Sequence, residues 1–200
     1  MLLILDDSGE FVRVPAWPLH CALAGGVLMD LALEGRIDTD PERLFVVDPA
    51  PVGDDLLDSA LARIAGTPET FHASHWVRTM ADGAGRVRAR VLERLVDHGI
   101  LECRERSFLW VLRSRRYPTL DARPDREVKR RLMSVLFGDD IPDPRDGAIV
   151  ALADTCGIFE HTLSRREVRS TAERVALVSG LELMLQAVSS TVREGRAPAG

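Results

Sequence analysis

The chain has 200 residues, of which 46% are hydrophobic and 28% charged, a composition that excludes a disordered or fibrous protein. Its three cysteines, Cys21, Cys103 and Cys156, lie too far apart for a disulfide framework or a CxxC zinc pattern, so we expect a reducing compartment. The net charge of −5 argues against non-specific nucleic-acid binding, and the N-terminal run reaches Asp6 without forming a signal peptide. The longest apolar stretch, residues 19–29, is too short to cross a bilayer, which predicts a soluble protein.

Hydrophobic periodicity predicts helices through most of the chain. The first, over residues 19–33, is apolar on nearly all faces and is expected to be buried, with Gly35 as its stop signal. Helix-start and helix-stop residues bound the further predicted helices, at 54–64, 67–82, 87–98, 125–137, 145–155, 164–180 and 181–194.

Short apolar runs predict two β-hairpins, at residues 37–48 and 100–112, the second with Arg104 and Arg106 at its tip. The predicted fold class is therefore mainly α, with two small β-hairpins. We expect one domain over residues 1–195, followed by a frayed tail over 196–200.

The charges are unevenly distributed along the chain. Residues 1–85 carry 5 Arg against 14 acidic residues, whereas residues 104–131 carry 9 Arg and Lys129 against 4 acidic residues. A basic segment therefore lies inside an acidic protein, and such a segment is a candidate for binding an anionic partner. Lys129 is the chain's one lysine, and this bias toward Arg hints at a bacterial source.

No motif in the chain predicts catalysis. The sequence contains no GxSxG, Walker or GxGxxG pattern, so we expect neither an enzyme nor a cofactor. His72 and His75 form an HxxH pair, but a zinc site requires a third ligand at a recognisable spacing. We therefore predict no metal site.

Two interpretations stay open for the arginines of the fourth predicted helix and the hairpin after it. A winged-helix DNA-binding unit has a basic recognition helix followed by such a hairpin, whose wing contacts phosphates. That helix would carry Arg86, Arg88, Arg90 and Arg94, and the wing would carry Arg104 and Arg106. A solvated helix face explains the same arginines and is the more common arrangement.

The basic segment suits an anionic lipid headgroup, because Arg forks bind phosphate oxygens and clustered cations are attracted to anionic membranes. Its candidate phosphate-binding residues are Arg126, Lys129, Arg130 and Arg131. Trp17, between two prolines before the first helix, would suit the headgroup interface, although it could instead cap the core at the start of that helix.

Four strings of residues, in matching order and spacing, resemble the Golgi phosphoprotein 3 family across nearly the whole chain. They are Leu31-Ala-Leu-Glu-Gly-Arg-Ile37, Gly53-Asp-Asp-Leu-Leu-Asp-Ser-Ala-Leu61, Leu95-Val-Asp-His-Gly-Ile-Leu101 and Val128-Lys-Arg-Arg-Leu132. The resemblance implies a compact helical bundle wrapped by amphipathic helices, with small hairpins. It also implies binding of phosphatidylinositol 4-phosphate on a basic face and, in eukaryotes, of the cytosolic tails of Golgi glycosyltransferases.

The resemblance also implies where the headgroup site lies. Trp17 resembles the family's Trp before the first helix, and Arg131 matches the first basic residue of a pair on the later helix. Ala24 stands where the family has an Arg, and Ser134 stands at the second basic position, so the identity of the headgroup stays open. The nearby cations that could compensate are Arg126, Lys129 and Arg130.

We therefore predict a cytoplasmic, non-enzymatic protein that binds a phosphoinositide membrane surface reversibly, in a bacterial-type relative of the family. An added role as an adaptor for membrane-protein tails stays open. The alternatives are a winged-helix DNA-binding protein and a protein–protein scaffold without a small ligand. The oligomeric state and the cellular role without a Golgi are open as well.

Overall fold

The computed structural model describes residues 1–6, 8–108, 112–180 and 183–196. These residues are mainly helical with two small antiparallel sheets, which confirms the predicted fold class. The helices are α1 Ala16–Leu33, α2 Asp55–Ala65, α3 Ala73–Ala81, α4 Ala84–Asp97, α5 Arg123–Phe137, α6 Pro144–Thr155, α7 Phe159–Thr162, α8 Arg165–Gly180 and α9 Leu183–Arg196, and a 3-10 turn at Leu2–Ile4 precedes them. The strands are β1 Ile37–Thr39, β2 Leu44–Val46, β3 Arg104–Phe108 and β4 Leu112–Arg116.

Helix α1 lies at the centre of the bundle. It contacts α2, α3, α4, α6 and α9, and its apolar residues point in all directions, as the sequence predicts for a buried helix. By length and composition α1 is also able to cross a membrane, but half of it is buried inside the protein. Its position among these helices accounts for its hydrophobicity, because each face packs against a neighbour.

Two clusters of buried side chains form most of the core. The first joins α1 to α2, α3 and α9, with Leu28, Trp76 and Val188 among its members. The second packs α5 and α8 against the other side of α6, through residues such as Val135 and Val150. Helix α6 contributes small residues to the first cluster and Val150 to the second, so it joins the two clusters, and Ala22 of α1 also belongs to the second.

Capping residues explain where several helices begin. Asp54 caps α2 by accepting hydrogen bonds from the backbone N–H groups of Leu56 and Leu57, at 2.9 and 3.1 Å. Asp143 caps α6 in the same way, accepting from the N–H of Arg145 at 2.9 Å. These local bonds agree with the predicted starts of both helices.

The start of α3 departs from the sequence prediction. The pattern at residue 67 predicts a helix start there, but α3 begins at Ala73. Phe71 instead pairs with Leu44 of β2, whose N–H donates to the Phe71 carbonyl at 2.8 Å. Sheet pairing therefore holds this segment extended until His72.

The second hairpin is also shifted along the chain relative to its prediction. Arg104 and Arg106 lie within β3, where they are opposite Arg116 and Ser114, rather than at the tip. The prediction placed one strand in each of the two short apolar runs, at 100–103 and 107–112. It was wrong, because the observed strands run over Arg104–Phe108 and Leu112–Arg116. The connection at 109–111 and residues 197–200 of the predicted tail lie outside the described residues, whereas Arg196, the first residue of that tail, ends α9.

Candidate functional site

Helix α5 carries most of the cations that the sequence singled out. Pro124 stands in its first turn, and Leu132, Val135 and Leu136 are spaced to bury one side against the second core cluster. Eight side chains of α5 are exposed, and at 100° per residue Arg123, Glu127 and Ser134 lie about 60–100° around the helix from Arg126, opposite the buried stripe. The other five exposed side chains fall within an adjoining sector of about 100°. They are Arg126, Lys129, Arg130, Met133 and Phe137, and we call this surface the α5 face.

The cations of the α5 face have weak local partners. The Lys129 ammonium is 2.9 Å from the Asp125 carboxylate, and the Arg130 guanidinium donates to Glu127 at 2.6 and 3.0 Å. The hydrogen bonds from Arg130 hold the pKa of Glu127 below its usual value. Such pairs within one helix add little stability, so they hold these cations only weakly. Among the described residues, no ion pair engages Arg126.

Arg131 lies at the edge of α5 that turns toward α6. Its Nε donates to Oδ2 of Asp146 at 3.0 Å, and a second guanidinium nitrogen pairs with the other carboxylate oxygen. This hydrogen bonding raises the pKa of Arg131. The Asp146 side chain is 14% exposed, so the pair is partly shielded from water. Arg131 therefore ties α5 to the first turn of α6.

Trp17 is half-buried at the start of α1, next to the end of α9. Its indole N–H donates to the Thr191 carbonyl at 3.4 Å, and the ring packs on the first core cluster. The same ring lies directly against Gly195, where an added Cβ would come within 2.1 Å of the indole nitrogen. This is the arrangement of a residue that caps the core.

The structure brings the four predicted cations of α5 onto one helix, whereas the contacts of Trp17 are with Thr191 and Gly195 of α9. Arg145, the neighbour of Asp146, pairs with Asp30 near the end of α1 at 2.6 Å. Asp30 lies thirteen positions after Trp17, which corresponds to roughly 20 Å along the helix axis. The Arg131–Asp146 pair is thus next in sequence to a contact with the C-terminal part of α1, whereas Trp17 stands at the start of that helix.

The two positions that depart from the family pattern differ in their surroundings. Ala24 is 1% exposed inside the first core cluster, so it offers neither a cation nor an opening at the surface. Ser134 is exposed on α5, next to the α5 face. A headgroup site around α5 would thus rely on Arg126, Lys129 and Arg130.

Three of the four arginines of α4 bind other parts of the protein. Arg90 donates to Asp55 at 2.8 Å, and Arg94 donates to Asp54 at 2.7 and 3.0 Å, which joins α4 to the start of α2. The Arg88 guanidinium lies 3.8 Å from the centroid of the Phe11 ring, a cation–π distance. These contacts, together with the strand position of Arg104, give the arginines roles other than the phosphate contacts of a winged-helix unit.

The histidine pair lies away from α5 and contacts neighbouring residues. The His75 ring stacks on Phe71 with a centroid distance of 3.9 Å, and His72 Nδ1 is 3.3 Å from the Pro41 carbonyl oxygen. Within the described part of the chain, no three His, Cys, Asp or Glu side chains converge to hold a metal ion.

Sequence reasoning missed the apolar half of the α5 face. Met133 and Phe137 are 44% and 51% exposed, and both follow the cations on the same side of the helix. Met133 and Phe137 continue the four-residue spacing of Lys129, which places the three on one side of the helix but does not by itself reveal that the two apolar side chains are exposed. The α5 face is therefore cationic in its first half and apolar in its second.

Comparison with known proteins supports the resemblance. Residues 1–194 match the family described as Golgi phosphoprotein 3 (GPP34). The vacuolar protein sorting-associated protein 74 of Eremothecium gossypii is 32% identical over 157 residues, which are 68% of this chain and 47% of that protein. The chain thus spans about half the length of this curated relative. Neither description names an enzymatic activity.

Proposed function

The chain belongs to the Golgi phosphoprotein 3 family, and from this premise we propose that it binds phosphoinositide lipid at a membrane surface through the α5 face. The observation that carries the proposal is the position of Arg126, Lys129 and Arg130 on one exposed side of α5. A headgroup of the phosphatidylinositol 4-phosphate type presents phosphate oxygens that suit the Arg forks. In this role the protein is not an enzyme.

Electrostatics favour such a complex over the internal pairs. Lys129 and Arg130 each pair with a single carboxylate of their own helix, whereas a phosphate monoester brings close to two negative charges and several acceptor oxygens. Each cation next to an anionic membrane strengthens binding roughly fivefold. Three such cations give a reversible attachment, which fits a cytoplasmic protein that visits the membrane surface.

Trp17 and Arg131 stay predicted contributors to this site. Their contacts with Thr191 and Asp146 mean that a substitution at either position also changes packing or pairing inside the protein. Trp17→Phe keeps an aromatic ring and removes the indole N–H, so its effect on vesicle binding should be measured together with its unfolding transition. Arg126 and Arg130 are the sharper test positions, since neither bonds to another helix in the described structure.

The name of the relative suggests a second part of the proposed role. The protein from Eremothecium gossypii is described as vacuolar protein sorting-associated, and sorting requires contact with cargo. We therefore include an adaptor role toward the tails of membrane proteins in the proposal. The lipid-bound α5 face would hold such an adaptor at the membrane where its cargo resides.

Vesicle sedimentation tests the proposal. The protein is mixed at physiological salt with phosphatidylcholine vesicles that contain phosphatidylinositol 4-phosphate, phosphatidylinositol or phosphatidylserine. The double variant Arg126→Glu/Arg130→Glu should bind the first vesicles at least about tenfold more weakly. The control Arg63→Glu/Arg86→Glu makes the same charge change at exposed arginines of α2 and α4 and should bind like the wild type.

Three outcomes would overturn the proposal. Absence of binding to every anionic vesicle removes lipid binding altogether. Equal losses in the two double variants show that net charge, and not the α5 face, attracts the protein. Equal binding to all anionic vesicles reduces the site to an unspecific basic surface.

A parallel titration with duplex DNA distinguishes the lipid-binding proposal from the winged-helix alternative. The lipid proposal predicts DNA binding that is weak and lost at physiological salt. Tight DNA binding that Arg88→Glu abolishes, and that Arg126→Glu/Arg130→Glu leaves unchanged, would favour the DNA-binding function. A protein that binds neither vesicles nor DNA would favour the scaffold.

A further inference from the structure

A surface cavity lies beside the α5 face. It has a volume of about 320 Å³ and is enclosed by α5, α7 and the N-terminal 3-10 turn. Four buried side chains from α5 and the start of α7 line it, namely Leu132, Leu136, Ile158 and Phe159. This volume is within the range of small-molecule sites, and the lining is predominantly apolar.

The opening of the cavity carries a cation, whereas its interior is apolar. Lys129 and Met133, both members of the α5 face, lie at this opening together with the exposed Thr162 of α7. The ammonium group of Lys129 has the partly buried carboxylate of Asp125 as its one ion-pair partner in the described structure. An apolar interior with a cation at its mouth is complementary to an amphiphile that has an anionic head and a hydrocarbon chain.

The exposed apolar half of the α5 face leads up to this opening. Met133 and Phe137 are about half exposed although they are large apolar side chains, so contact with hydrocarbon would remove unfavourable hydration. A chain that leaves a bilayer next to a headgroup on Arg126 and Arg130 would pass along this surface before it enters the cavity.

We propose that the cavity beside Lys129 binds an acyl chain of the anionic lipid whose headgroup binds the α5 face. The inference rests on the proposed lipid-binding function and extends it from the headgroup to the whole lipid. Charge complementarity favours this occupant over an uncharged apolar segment, because Lys129 would stand beside the headgroup phosphates. The protein then recognises the lipid in part by a chain that is withdrawn from the membrane.

Two soluble ligands separate the contribution of the acyl chains to the affinity from that of the headgroup. One is phosphatidylinositol 4-phosphate with two octanoyl chains, used below its micelle concentration, and the other is its deacylated glycerophosphoinositol 4-phosphate. Calorimetric titration should show at least about tenfold tighter binding of the dioctanoyl lipid, since burial of two methylenes already gives that factor. Its binding should also have the more negative heat-capacity change, the mark of apolar burial.

The variant Thr162→Trp blocks the opening from an exposed position, where a bulky side chain leaves the core intact. It should reduce the advantage of the dioctanoyl lipid to less than about threefold and leave binding of the deacylated headgroup unchanged. Val47→Trp is the matched control, because Val47 is 58% exposed and lies outside α5. This variant should keep the full affinity advantage of the dioctanoyl lipid. Unfolding curves of both variants check that the fold is retained.

The outcomes distinguish this inference from the function on which it rests. Equal binding of the two ligands overturns the acyl-chain site and leaves the headgroup site standing. If the dioctanoyl lipid keeps its affinity advantage in Thr162→Trp, the acyl chain binds elsewhere on the protein, and the inference is overturned as well. Binding of neither ligand means that the proposed function itself is wrong. A dimer that Thr162→Trp dissociates would assign the cavity to a second copy of the chain.

Discussion

Arg131 and Asp146 join α5 to α6 through hydrogen bonds from one guanidinium to both oxygens of one carboxylate. The resemblance predicts Arg131 as a headgroup contact, yet in this structure its partner is a carboxylate of the protein itself. Asp146 stands in the first turn of α6, where the helix dipole favours a negative charge. The pair therefore positions the whole α5 face relative to the bundle.

We expect Asp146→Ala to lower the free energy of unfolding by about 1–2 kcal/mol, because a charge-assisted hydrogen bond and a favourable helix-dipole contact are lost. Urea unfolding followed by circular dichroism measures this change. The charge-swapped variant Arg131→Asp/Asp146→Arg should recover part of the loss relative to Arg131→Asp alone. A swapped variant that is less stable than Arg131→Asp would show that the two side chains do not act as a pair.

The contact between Asp54 and Arg94 leads to a second prediction. Asp54→Ala removes the cap of α2 together with the partner of Arg94, so we expect a loss of about 1–2 kcal/mol in the free energy of unfolding. Asp54→Asn retains a capping side chain and should cost less. Equal losses for the two variants would mean that the cap contributes nothing beyond the charge.

The same carboxylate predicts a pH dependence. Hydrogen bonding from Arg94, with help from the Leu57 and Leu56 N–H groups, holds the pKa of Asp54 below its usual value, although partial burial opposes this. A lowered pKa in the folded state means that the stabilisation is present above the ordinary carboxyl pKa and is lost as the pH falls through the lowered value. The difference in unfolding free energy between wild type and Asp54→Asn should therefore be full at neutral pH and shrink below about pH 4. A difference that stays constant down to strongly acidic pH would contradict the ion pair.

The close approach of Trp17 to Gly195 makes that glycine sensitive to substitution. Gly195→Ala places a methyl group on the indole ring, so we expect a loss of about 1–3 kcal/mol in unfolding free energy from overpacking. Gly85→Ala in α4 is the control, because an added Cβ there meets no atom within 4 Å and a helical Ala is favourable. Thermal unfolding of the two variants should shift in opposite directions.

The three cysteines should differ in reactivity. Cys103 is exposed, whereas Cys21 and Cys156 are buried. Burial raises the pKa of the Cys21 thiol to about 11, so it holds almost no thiolate at neutral pH. A thiol reagent at neutral pH should modify one cysteine rapidly in the native protein and three after denaturation. Rapid modification that persists in Cys103→Ser would contradict this assignment.

Local features of the sequence predicted most of the helices correctly. Asp54 before α2 and Gly35 after α1 act on their own neighbours, so their effects can be inferred without a fold. The start of α3 could not be inferred in this way. Its delay depends on the pairing of Phe71 with Leu44, a contact between residues that are far apart in sequence.

The candidate site was predicted in part. The basic composition of α5 singled out Arg126, Lys129 and Arg130, because clustered charge is visible in the sequence alone. The exposure of Met133 and Phe137 was not visible, since the same helical spacing also describes core residues. Which side of α5 faces solvent depends on how α5 packs against α6 and α8.

The sequence by itself determined the helical fold class, the buried character of α1, the basic segment and the family. Each of these follows from composition, periodicity or short strings of neighbouring residues. The tertiary structure alone decided that Arg131 binds Asp146, that Trp17 lies against α9, and that a cavity opens beside Lys129. The Trp17–Thr191 bond joins residues 174 positions apart, and a contact of that kind is set by the packing of whole helices rather than by any local pattern.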